Sequence, residues 1–100
     1  IVVKKGGMRE RFDRSKFRFG LLKACEKRPV PAGDLEKIVE TLEQRFLESP
    51  DRELTSREVG EYAMGCLKKI DKVAYVRFAS VYQEFKDLRD FMTTINQTLE

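Results

Sequence analysis

Apolar side chains recur every three or four positions in four stretches of the chain, with charged and polar side chains between them. This spacing predicts four amphipathic helices. The first covers about 14–26, the second lies between a breaker at 28–33 and a turn at 49–51, and the others follow residues 55 and 71. Their predicted core positions, helix by helix, are Phe17, Leu21, Ala24 and Cys25; Leu35, Ile38, Val39, Leu42, Phe46 and Leu47; Val59, Tyr62, Ala63, Cys66, Leu67 and Ile70; and Ala74, Tyr75, Phe78, Ala79, Tyr82, Phe85, Leu88, Phe91, Met92 and Ile95.

The chain outside these helices contains short segments of strand character. Two valines at 2–3 precede the turn sequence Lys-Lys-Gly-Gly, whose glycines can take the positive φ of a two-residue hairpin loop. Residues 8–12 are predicted to form the returning strand, and 52–54 a short edge strand. The expected fold is therefore α+β: a four-helix bundle capped by a hairpin or small β-sheet, forming one domain over 1–100.

Three polar side chains mark predicted helix starts. Asp13 and Asp71 stand where an N-cap carboxylate belongs, and Thr55 with Glu58 has the spacing of a capping box. These signals fix where the first, third and fourth helices begin. The fourth apolar stripe is long enough to extend beyond the bundle, so Phe91, Met92 and Ile95 are candidates for a subunit interface.

Composition limits the function of the chain. Its 100 residues are 41% hydrophobic and 37% charged, as in a globular domain, and no apolar run approaches the 18 or so residues of a membrane span. Neither a membrane partner nor a secretion signal is expected. The chain begins at Ile1 without a methionine, which we interpret as a piece of a longer protein.

Catalytic and metal-binding chemistry has few candidate residues. Histidine is absent and there are only two cysteines, Cys25 and Cys66, so neither a four-ligand zinc site nor a Cys-His or Ser-His pair can form. We therefore expect no enzyme and no metal site in this chain. Both cysteines lie in apolar stripes, which favours buried thiols over a disulfide.

Charge is unevenly distributed along the chain. Residues 1–30 contain ten basic and three acidic groups, a net charge of +7, whereas the remaining seventy residues carry −4. The first third therefore suits an anionic partner: nucleic acid, a nucleotide phosphate or an acidic protein. The alternative is a basic surface that complements the acidic helices of the same domain.

The densest polar cluster lies at 4–16 and suits a nucleotide. Lys4 and Lys5 leave a strand at a flexible turn, and Lys16 falls in the first turn of a helix whose free N–H groups favour anions. Phe12 and Phe17 offer apolar faces to a base, while Glu10 offers a carboxylate to sugar or base polar groups: these two aromatic side chains and one carboxylate complete the candidate site. The P-loop motif is absent. Nucleotide binding, nucleic-acid binding and a solvated charged face remain open.

At these residues the chain resembles a known family. The runs Val2-Val3-Lys4-Lys5-Gly6-Gly7 and Glu10-x-Phe12-Asp13-x-x-Lys16 are similar to the opening of the ATP-cone. The stretches 20–30 (GLLKACEKRPV) and 73–82 (VAYVRFASVY) look like the C-terminal ATP-cone of the NrdR family, bacterial repressors of ribonucleotide reductase genes. This resemblance covers essentially all of the chain.

The resemblance implies four helices capped by a small mixed sheet, and an allosteric domain that binds ATP or dATP, with or without magnesium. Nucleotide identity would control homo-oligomer formation. Carried over by motif position, Lys4, Lys5 and Lys16 would contact phosphates, Glu10 the sugar or base, and Val2, Phe12 and Phe17 the base and ribose. Thr55 would face the nucleotide from the third helix, and Val81 would close the pocket from the fourth helix.

The chain departs from the family pattern at two positions. Lys5 stands where Arg is usual and Gly6 where Asp is usual; lysine lacks the bidentate fork of arginine, which loosens phosphate geometry. Family members also carry an N-terminal zinc ribbon that reads DNA. Because nothing in this chain corresponds to it, zinc and DNA binding are expected only in a longer parent protein, located in the bacterial cytoplasm and associated with the nucleoid.

Three further side chains have two possible roles. Tyr75 and Tyr82, two turns apart on the fourth helix, suit either core packing or contact with a nucleotide or subunit. Arg77 between them is expected to pair with a helix carboxylate or to reach a phosphate. The hypotheses for the whole chain are an allosteric nucleotide sensor, a small basic nucleic-acid-binding domain, or a helical oligomerisation module without a ligand.

Overall fold

In the part of the chain that the structure describes, the fold consists of five helices and a three-stranded sheet, which confirms the α+β class with a small mixed sheet. The computed structural model describes residues 1–82 and 88–99. In chain order the elements are β1 (Val2–Val3), β2 (Arg9–Glu10), α1 (Arg14–Ala24), α2 (Ala32–Glu48), a 3-10 turn (Pro50–Arg52), β3 (Leu54–Thr55), α3 (Ser56–Ile70), α4 (Lys72–Tyr82) and α5 (Leu88–Leu99).

The sheet has β1 at its centre, in the order β2-β1-β3. β1 runs antiparallel to β2, with Val2 opposite Glu10, and parallel to β3, with Val2 opposite Leu54. The predicted hairpin is therefore confirmed, although its second strand is shorter than expected. The third strand lies at 54–55 rather than at 52–54, because the 3-10 turn occupies the preceding positions.

The hairpin loop has three residues rather than the two predicted. The backbone N–H of Lys4 donates to the carbonyl of Met8 at 2.7 Å, and that of Gly7 donates to the carbonyl of Lys4 at 2.9 Å. Gly6 and Gly7 both have positive φ, 94° and 87°, as the sequence predicts. The loop leaves Lys4 and Lys5 at the end of the central strand.

All three predicted helix caps are confirmed. A carboxylate oxygen of Asp13 accepts the backbone N–H of Lys16 at 3.0 Å, and one of Asp71 accepts that of Ala74 at 2.9 Å. Thr55 and Glu58 form the complete capping box at the start of α3. These caps matter for the site because α1 and α3 begin beside the sheet.

The core lies between the helices, where α1 packs on α2 and α4, and α3 packs on α4. Leu21, Leu42, Leu67 and Val39 are fully buried at its centre. In α2 and α3, two predicted core positions are wrong: Leu47 is 58% exposed and Ile70 37% exposed. Leu47 follows the buried Phe46 and lies on the solvent side of α2, and Ile70 is the last residue of α3.

The predicted fourth helix includes the residues of α4 and α5, which contact each other, and residues 83–87 between them lie outside the described residues. Tyr82, a predicted core residue, is 46% exposed at the end of α4. Phe85 lies outside the described residues, as do the side chains of Leu88 and Phe91. Met92 is exposed and Ile95 half-buried, but nothing in the structure tests the predicted subunit interface at these positions.

Candidate nucleotide-binding site

One cavity brings together six of the nine predicted site residues. It has a volume of about 420 Å³ and lies between the hairpin and the start of α1, and we call it the hairpin cleft. A cavity of this size is in the range of small-molecule sites. The predicted residues that line it are Val2, Lys4, Glu10, Phe12, Lys16 and Phe17, and the others are Arg11, Asp13, Ser56, Val59 and Tyr82.

Two oppositely charged side chains face each other across the hairpin. The ammonium of Lys4 lies 3.0 Å from a carboxylate oxygen of Glu10, and both side chains are nearly half exposed. The antiparallel register places them close together, since Lys4 follows β1 and Glu10 ends β2. A phosphate that binds Lys4 would therefore have to share the Lys4 ammonium with the Glu10 carboxylate or displace that carboxylate.

The apolar wall of the hairpin cleft is an aromatic cluster. The ring centroid of Phe12 lies 5.8 Å from that of Phe17 and 4.9 Å from that of Phe46, both in tilted arrangements. Phe17 is only 4% exposed and belongs mainly to the core, whereas Phe12 is partly buried. Of the two predicted aromatic contacts, Phe12 therefore presents more surface to a ligand, and Phe17 supports it.

A second cavity adjoins the first and collects two more predicted residues, Lys5 and Thr55. It has a volume of about 670 Å³ and lies over the start of α3, and we call it the α3 cleft. Lys4, Ser56 and Tyr82 line both clefts, so the two form one continuous depression. The remaining side chains of the α3 cleft are those of Val3, Arg57, Gly60, Glu61 and Met64.

The hydroxyl of Thr55 is already engaged in the capping box. It accepts the backbone N–H of Glu58 at 3.0 Å and lies 3.0 Å from the Glu58 carboxylate, to which it donates. That carboxylate also accepts the backbone N–H of Thr55 at 3.2 Å. The first role of Thr55 is therefore the cap, and its remaining lone pair is what a ligand in the α3 cleft could use.

Val81 lies in a third cavity, which we call the α1–α4 groove. Its volume is about 510 Å³, and it is lined by Gly20, Lys23, Ala24, Glu26, Lys27, Arg77, Phe78, Val81 and Tyr82. Val81 is 79% exposed there. The structure therefore brings eight predicted residues to the two adjoining clefts and places Val81 in the α1–α4 groove, which shares only Tyr82 with their lining.

Tyr82 lines all three cavities, and sequence reasoning left its role open. Its ring stacks on Phe78 at a centroid distance of 4.4 Å and lies against Gly60, where a Cβ would come within 3.2 Å of the ring. Burial raises the pKa of the Tyr82 hydroxyl, and the nearby Lys4 ammonium opposes that shift. Its position depends on a glycine twenty-two residues earlier, which no local pattern reveals.

Internal ion pairs use half of the basic groups in residues 1–30. Arg14 contacts Glu36 at 2.6 Å and Glu43 at 2.9 Å, and Arg18 contacts Glu36 at 3.1 Å. Lys4, Arg9 and Arg28 are also paired, the last two with Glu53 and Asp71. The expected complement between the basic first third and the acidic helices is thus present. Five basic groups form no ion pair with any side chain that the structure describes: Lys5, Arg11, Lys16, Lys23 and Lys27.

Arg77 forms no ion pair with a carboxylate among the described side chains. Its guanidinium donates to the carbonyls of Ala24 at 3.2 Å and Glu26 at 2.7 Å, at the end of α1. Unpaired carbonyls at a helix end are good acceptors for a cation, so Arg77 has partners in the fold that the sequence did not suggest.

Both cysteines are free thiols, Cys25 buried and Cys66 partly buried, which confirms the prediction over a disulfide. Burial raises the pKa of the Cys25 thiol. Among the described residues, no three Cys, Asp or Glu side chains are grouped so that they could hold a metal ion. None of the helices described is long and apolar enough to cross a membrane.

A small sheet and two helix starts surround clefts that contain lysines and an aromatic wall, which is a geometry suited to binding a small anionic ligand. Residues 1–88 match the ATP cone domain family, and the chain belongs to this family. This agrees with the resemblance in the sequence. ATP-cones are regulatory domains rather than catalytic ones, so the prediction that the chain is not an enzyme is confirmed.

Curated relatives are similar to this chain along its length. The transcriptional repressor NrdR of Koribacter versatilis is 56% identical over 99 residues, which cover 99% of this chain and 61% of the relative. NrdR of Kosmotoga olearia is 56% identical over 97 residues, covering 97% and 61%. NrdR of Thermoanaerobacter sp. (strain X514) is 50% identical over 100 residues, covering 100% and 63%. The chain spans about three fifths of the length of these relatives.

Proposed function

We propose that residues 1–100 form one ATP-cone domain that binds ATP or dATP and regulates a bacterial transcriptional repressor. The observation that supports this most is the convergence of six predicted nucleotide contacts on the hairpin cleft. The match of residues 1–88 to the ATP cone domain family and the similarity to NrdR repressors support the same conclusion.

The phosphates bind where the two clefts join. Lys4 lines both clefts, Lys16 reaches the hairpin cleft from the first turn of α1, and Lys5 reaches the α3 cleft. Their ammonium groups neutralise the phosphate charge. The ammonium of Lys4 leaves the Glu10 carboxylate and pairs with a phosphate, which carries more negative charge. Magnesium, where it accompanies the nucleotide, is held largely by the phosphates themselves.

The base and sugar lie in the hairpin cleft. Val2 and Phe12 supply the apolar surface, with Phe17 behind them, and the Glu10 carboxylate accepts from sugar or base polar groups. Thr55 contacts the nucleotide from the α3 cleft, and Val81 closes the site from beyond the ring of Tyr82.

Regulation follows if nucleotide identity changes the oligomeric state. A ligand shifts such an equilibrium only by its difference in affinity between the states. In the longer protein, the oligomer favoured by one nucleotide would present DNA-binding zinc ribbons, so zinc and DNA belong to that protein rather than to this chain. The location expected for such a repressor is the bacterial cytoplasm, at the nucleoid.

Calorimetric titration with ATP and with dATP, combined with light scattering, tests the proposal. We expect saturable heat with both nucleotides and a change in mean mass that differs between them. An absence of heat with either nucleotide, at a protein concentration adequate for micromolar binding, would refute nucleotide sensing. Equal mass changes with both would refute the regulatory part and leave binding intact.

Direct nucleic-acid binding is the second candidate, favoured by the five basic groups that form no ion pair with a described side chain. Binding through such a patch depends on counterion release and weakens steeply as salt rises. A salt series with duplex DNA separates the two functions, because affinity for a nucleotide enclosed in a cleft depends less on salt. We expect DNA affinity to be weak and independent of sequence.

A further inference from the structure

The charged side chains of the hairpin cleft fall into two groups, those already engaged within the fold and those that are not. The ammonium of Lys4 pairs with the Glu10 carboxylate at 3.0 Å. The Asp13 carboxylate accepts the backbone N–H of Lys16 at 3.0 Å and caps α1. The side chains of Arg11 and Lys16 complete the charged lining, and neither forms an ion pair with any side chain that the structure describes. These two cations are therefore available to an anionic ligand in the cleft.

Arg11 belongs to a short segment whose backbone is fixed on both sides. Glu10 before it is part of β2, and Asp13 after it is the N-cap of α1. Between them the ring of Phe12 packs on Phe46, with 4.9 Å between the ring centroids. Arg11 itself is exposed, so it lies at the rim of the cleft and not in the core. An arginine on such an anchored backbone loses little chain freedom when it binds a ligand.

Position 11 is not assigned by the family pattern, which reads Glu10-x-Phe12 in this chain. The same pattern usually has an arginine at position 5, where this chain has Lys5. The guanidinium of arginine is a planar fork that binds a phosphate through two parallel hydrogen bonds, whereas the ammonium of lysine is a point charge. A second arginine in the clefts would therefore restore a kind of contact that Lys5 does not provide.

Two arginines line the clefts in the part of the chain that the structure describes, Arg11 in the hairpin cleft and Arg57 in the α3 cleft. The guanidinium of Arg57 contacts the Glu61 carboxylate at 2.9 Å, one turn further along α3. Arg11 is the one of the two that has no carboxylate partner among the described side chains.

The exposure of the lining residues indicates which part of a nucleotide Arg11 meets. The aromatic wall of the cleft is partly buried at Phe12 and buried at Phe17, so it suits the apolar face of a base. Burial of charge is costly, so the outer phosphates belong at the exposed rim. Arg11 lines this rim in the same cleft as Lys4 and Lys16, and a single phosphate chain can therefore contact all three.

We propose that the guanidinium of Arg11 binds the outer phosphates of the nucleotide and makes the hairpin cleft selective for nucleoside triphosphates over monophosphates. The inference rests on the proposed function and adds to it a residue that determines specificity. A monophosphate has no group that reaches Arg11, whose guanidinium then stays in water. A triphosphate gains the two hydrogen bonds of the fork in addition to the lysine contacts.

Three variants of the full 100-residue chain test the role of Arg11. Arg11→Gln removes the charge, and Arg11→Lys keeps the charge without the fork. Arg52→Gln is the matched control, because Arg52 is exposed, lines neither cleft and forms no ion pair with a described side chain. Calorimetric titration at constant ionic strength measures the dissociation constants of ATP and ADP, and displacement of ATP measures that of AMP. Circular dichroism checks that each variant is folded.

We expect Arg11→Gln to weaken ATP binding by about tenfold and AMP binding by no more than about twofold. The ratio of the two dissociation constants is the decisive quantity, because a distorted cleft would weaken both nucleotides alike. Arg11→Lys should recover only part of the ATP affinity, since its ammonium makes a single contact. The loss for ADP should lie between those for ATP and AMP, and Arg52→Gln should change none of the three affinities by more than about twofold.

Equal losses for ATP and AMP in Arg11→Gln would overturn the inference, because Arg11 would then act on the base, the sugar or the whole cleft. So would an ATP affinity of Arg11→Gln that matches the control, and full recovery in Arg11→Lys would overturn the role of the fork. Failure of the proposed function gives a different result: the wild-type chain would then bind none of the three nucleotides. A wild-type chain that binds ATP, with Arg11 variants that behave like Arg52→Gln, would overturn this inference alone.

Discussion

The guanidinium of Arg28 contacts both carboxylate oxygens of Asp71, with Nε 2.9 Å from Oδ2 and 3.1 Å from Oδ1. Asp71 also accepts the backbone N–H of Ala74 at 2.9 Å and so caps α4. One buried carboxylate therefore joins the segment after α1 to the junction of α3 and α4. These two interactions, the Ala74 hydrogen bond first, hold the pKa of Asp71 below its ordinary value.

The lowered pKa makes stability depend on pH in a defined direction. Folded protein binds the Asp71 proton more weakly than unfolded protein does, so the contribution of this group is present above the ordinary carboxyl range. It is lost as pH falls through the lower, folded pKa. We expect Asp71→Asn, which retains capping ability, to lower the melting temperature at neutral pH and to have progressively less effect towards about pH 2.

Thermal unfolding followed by circular dichroism across this pH range measures the effect. Asp51→Asn is the matched control, because Asp51 is exposed and asparagine tolerates its positive φ of 55°. A difference between wild type and Asp71→Asn that stays constant down to acid pH would contradict the prediction.

The two lysines of the hairpin cleft carry the largest expected effect on nucleotide binding. A hydrogen bond to a charged group contributes about 1.5–3 kcal/mol, so each of Lys4→Ala and Lys16→Ala should weaken ATP and dATP binding by about tenfold or more. Calorimetry measures the loss, with Lys37→Ala/Lys69→Ala as the control at exposed lysines outside both clefts. Unchanged nucleotide affinity in both cleft variants would mean that the phosphates do not bind at these two lysines.

Substitutions at two glycines of α3 distinguish the effect of the Tyr82 ring on nucleotide binding from an effect of helix stability. A Cβ at Gly60 meets the Tyr82 ring at 3.2 Å, whereas nothing lies within 4 Å of a Cβ at Gly65. Gly65→Ala should raise the free energy of unfolding by about 0.5–1 kcal/mol and leave nucleotide affinity unchanged. Gly60→Ala should gain less stability and lose affinity, because the ring must move.

Denaturant unfolding and calorimetry on both glycine variants provide the measurements. Equal nucleotide affinity in the two would mean that the ring position does not affect the clefts.

Variants of the capping box distinguish an effect on stability from an effect on nucleotide binding in a second way. Thr55→Ala and Glu58→Ala each remove one half of it, and we expect a cost of about 1 kcal/mol for the loss of the Thr55 cap and less for Glu58. Only Thr55 lines the α3 cleft, so only its variant should also weaken nucleotide binding. An equal affinity loss in both variants would show that Thr55 acts only as a cap.

The parts of the fold that sequence predicts well are those decided by neighbouring residues. Periodicity predicted α1, α2 and α3 together with their main core positions. Residue type and spacing predicted the caps at Asp13, Thr55 and Asp71, each of which forms a short-range hydrogen bond in the structure. The hairpin followed from two glycines. Each of these signals lies within a few residues of the structure that it specifies.

The remaining features depend on contacts between distant residues, which a single sequence does not encode locally. The parallel pairing of β1 with β3, the bracing of α1 by Arg77 and the ring of Tyr82 against Gly60 are of this kind. Burial at Leu47 was predicted incorrectly for the same reason, since periodicity alone does not show where a neighbouring helix stops covering a stripe. Six of the nine candidate site residues came from the polar cluster at 4–16 with the adjacent Phe17, and only Val2, Thr55 and Val81 came from the resemblance to the ATP-cone alone.

The pairing of Val2 with Leu54 closes a loop of about fifty residues with only two residues in each strand. Chain closure of that length costs entropy, so this pairing forms after the local helices and opens before they do. When β1 separates from β3, Lys4 moves away from the two clefts that it lines, while the helical core stays folded. A bound nucleotide must be released before such an opening, and its occupancy therefore slows amide hydrogen exchange at Leu54, whose N–H donates to the carbonyl of Ile1. Hydrogen exchange at the Leu54 amide of β3 would thus report ligand occupancy.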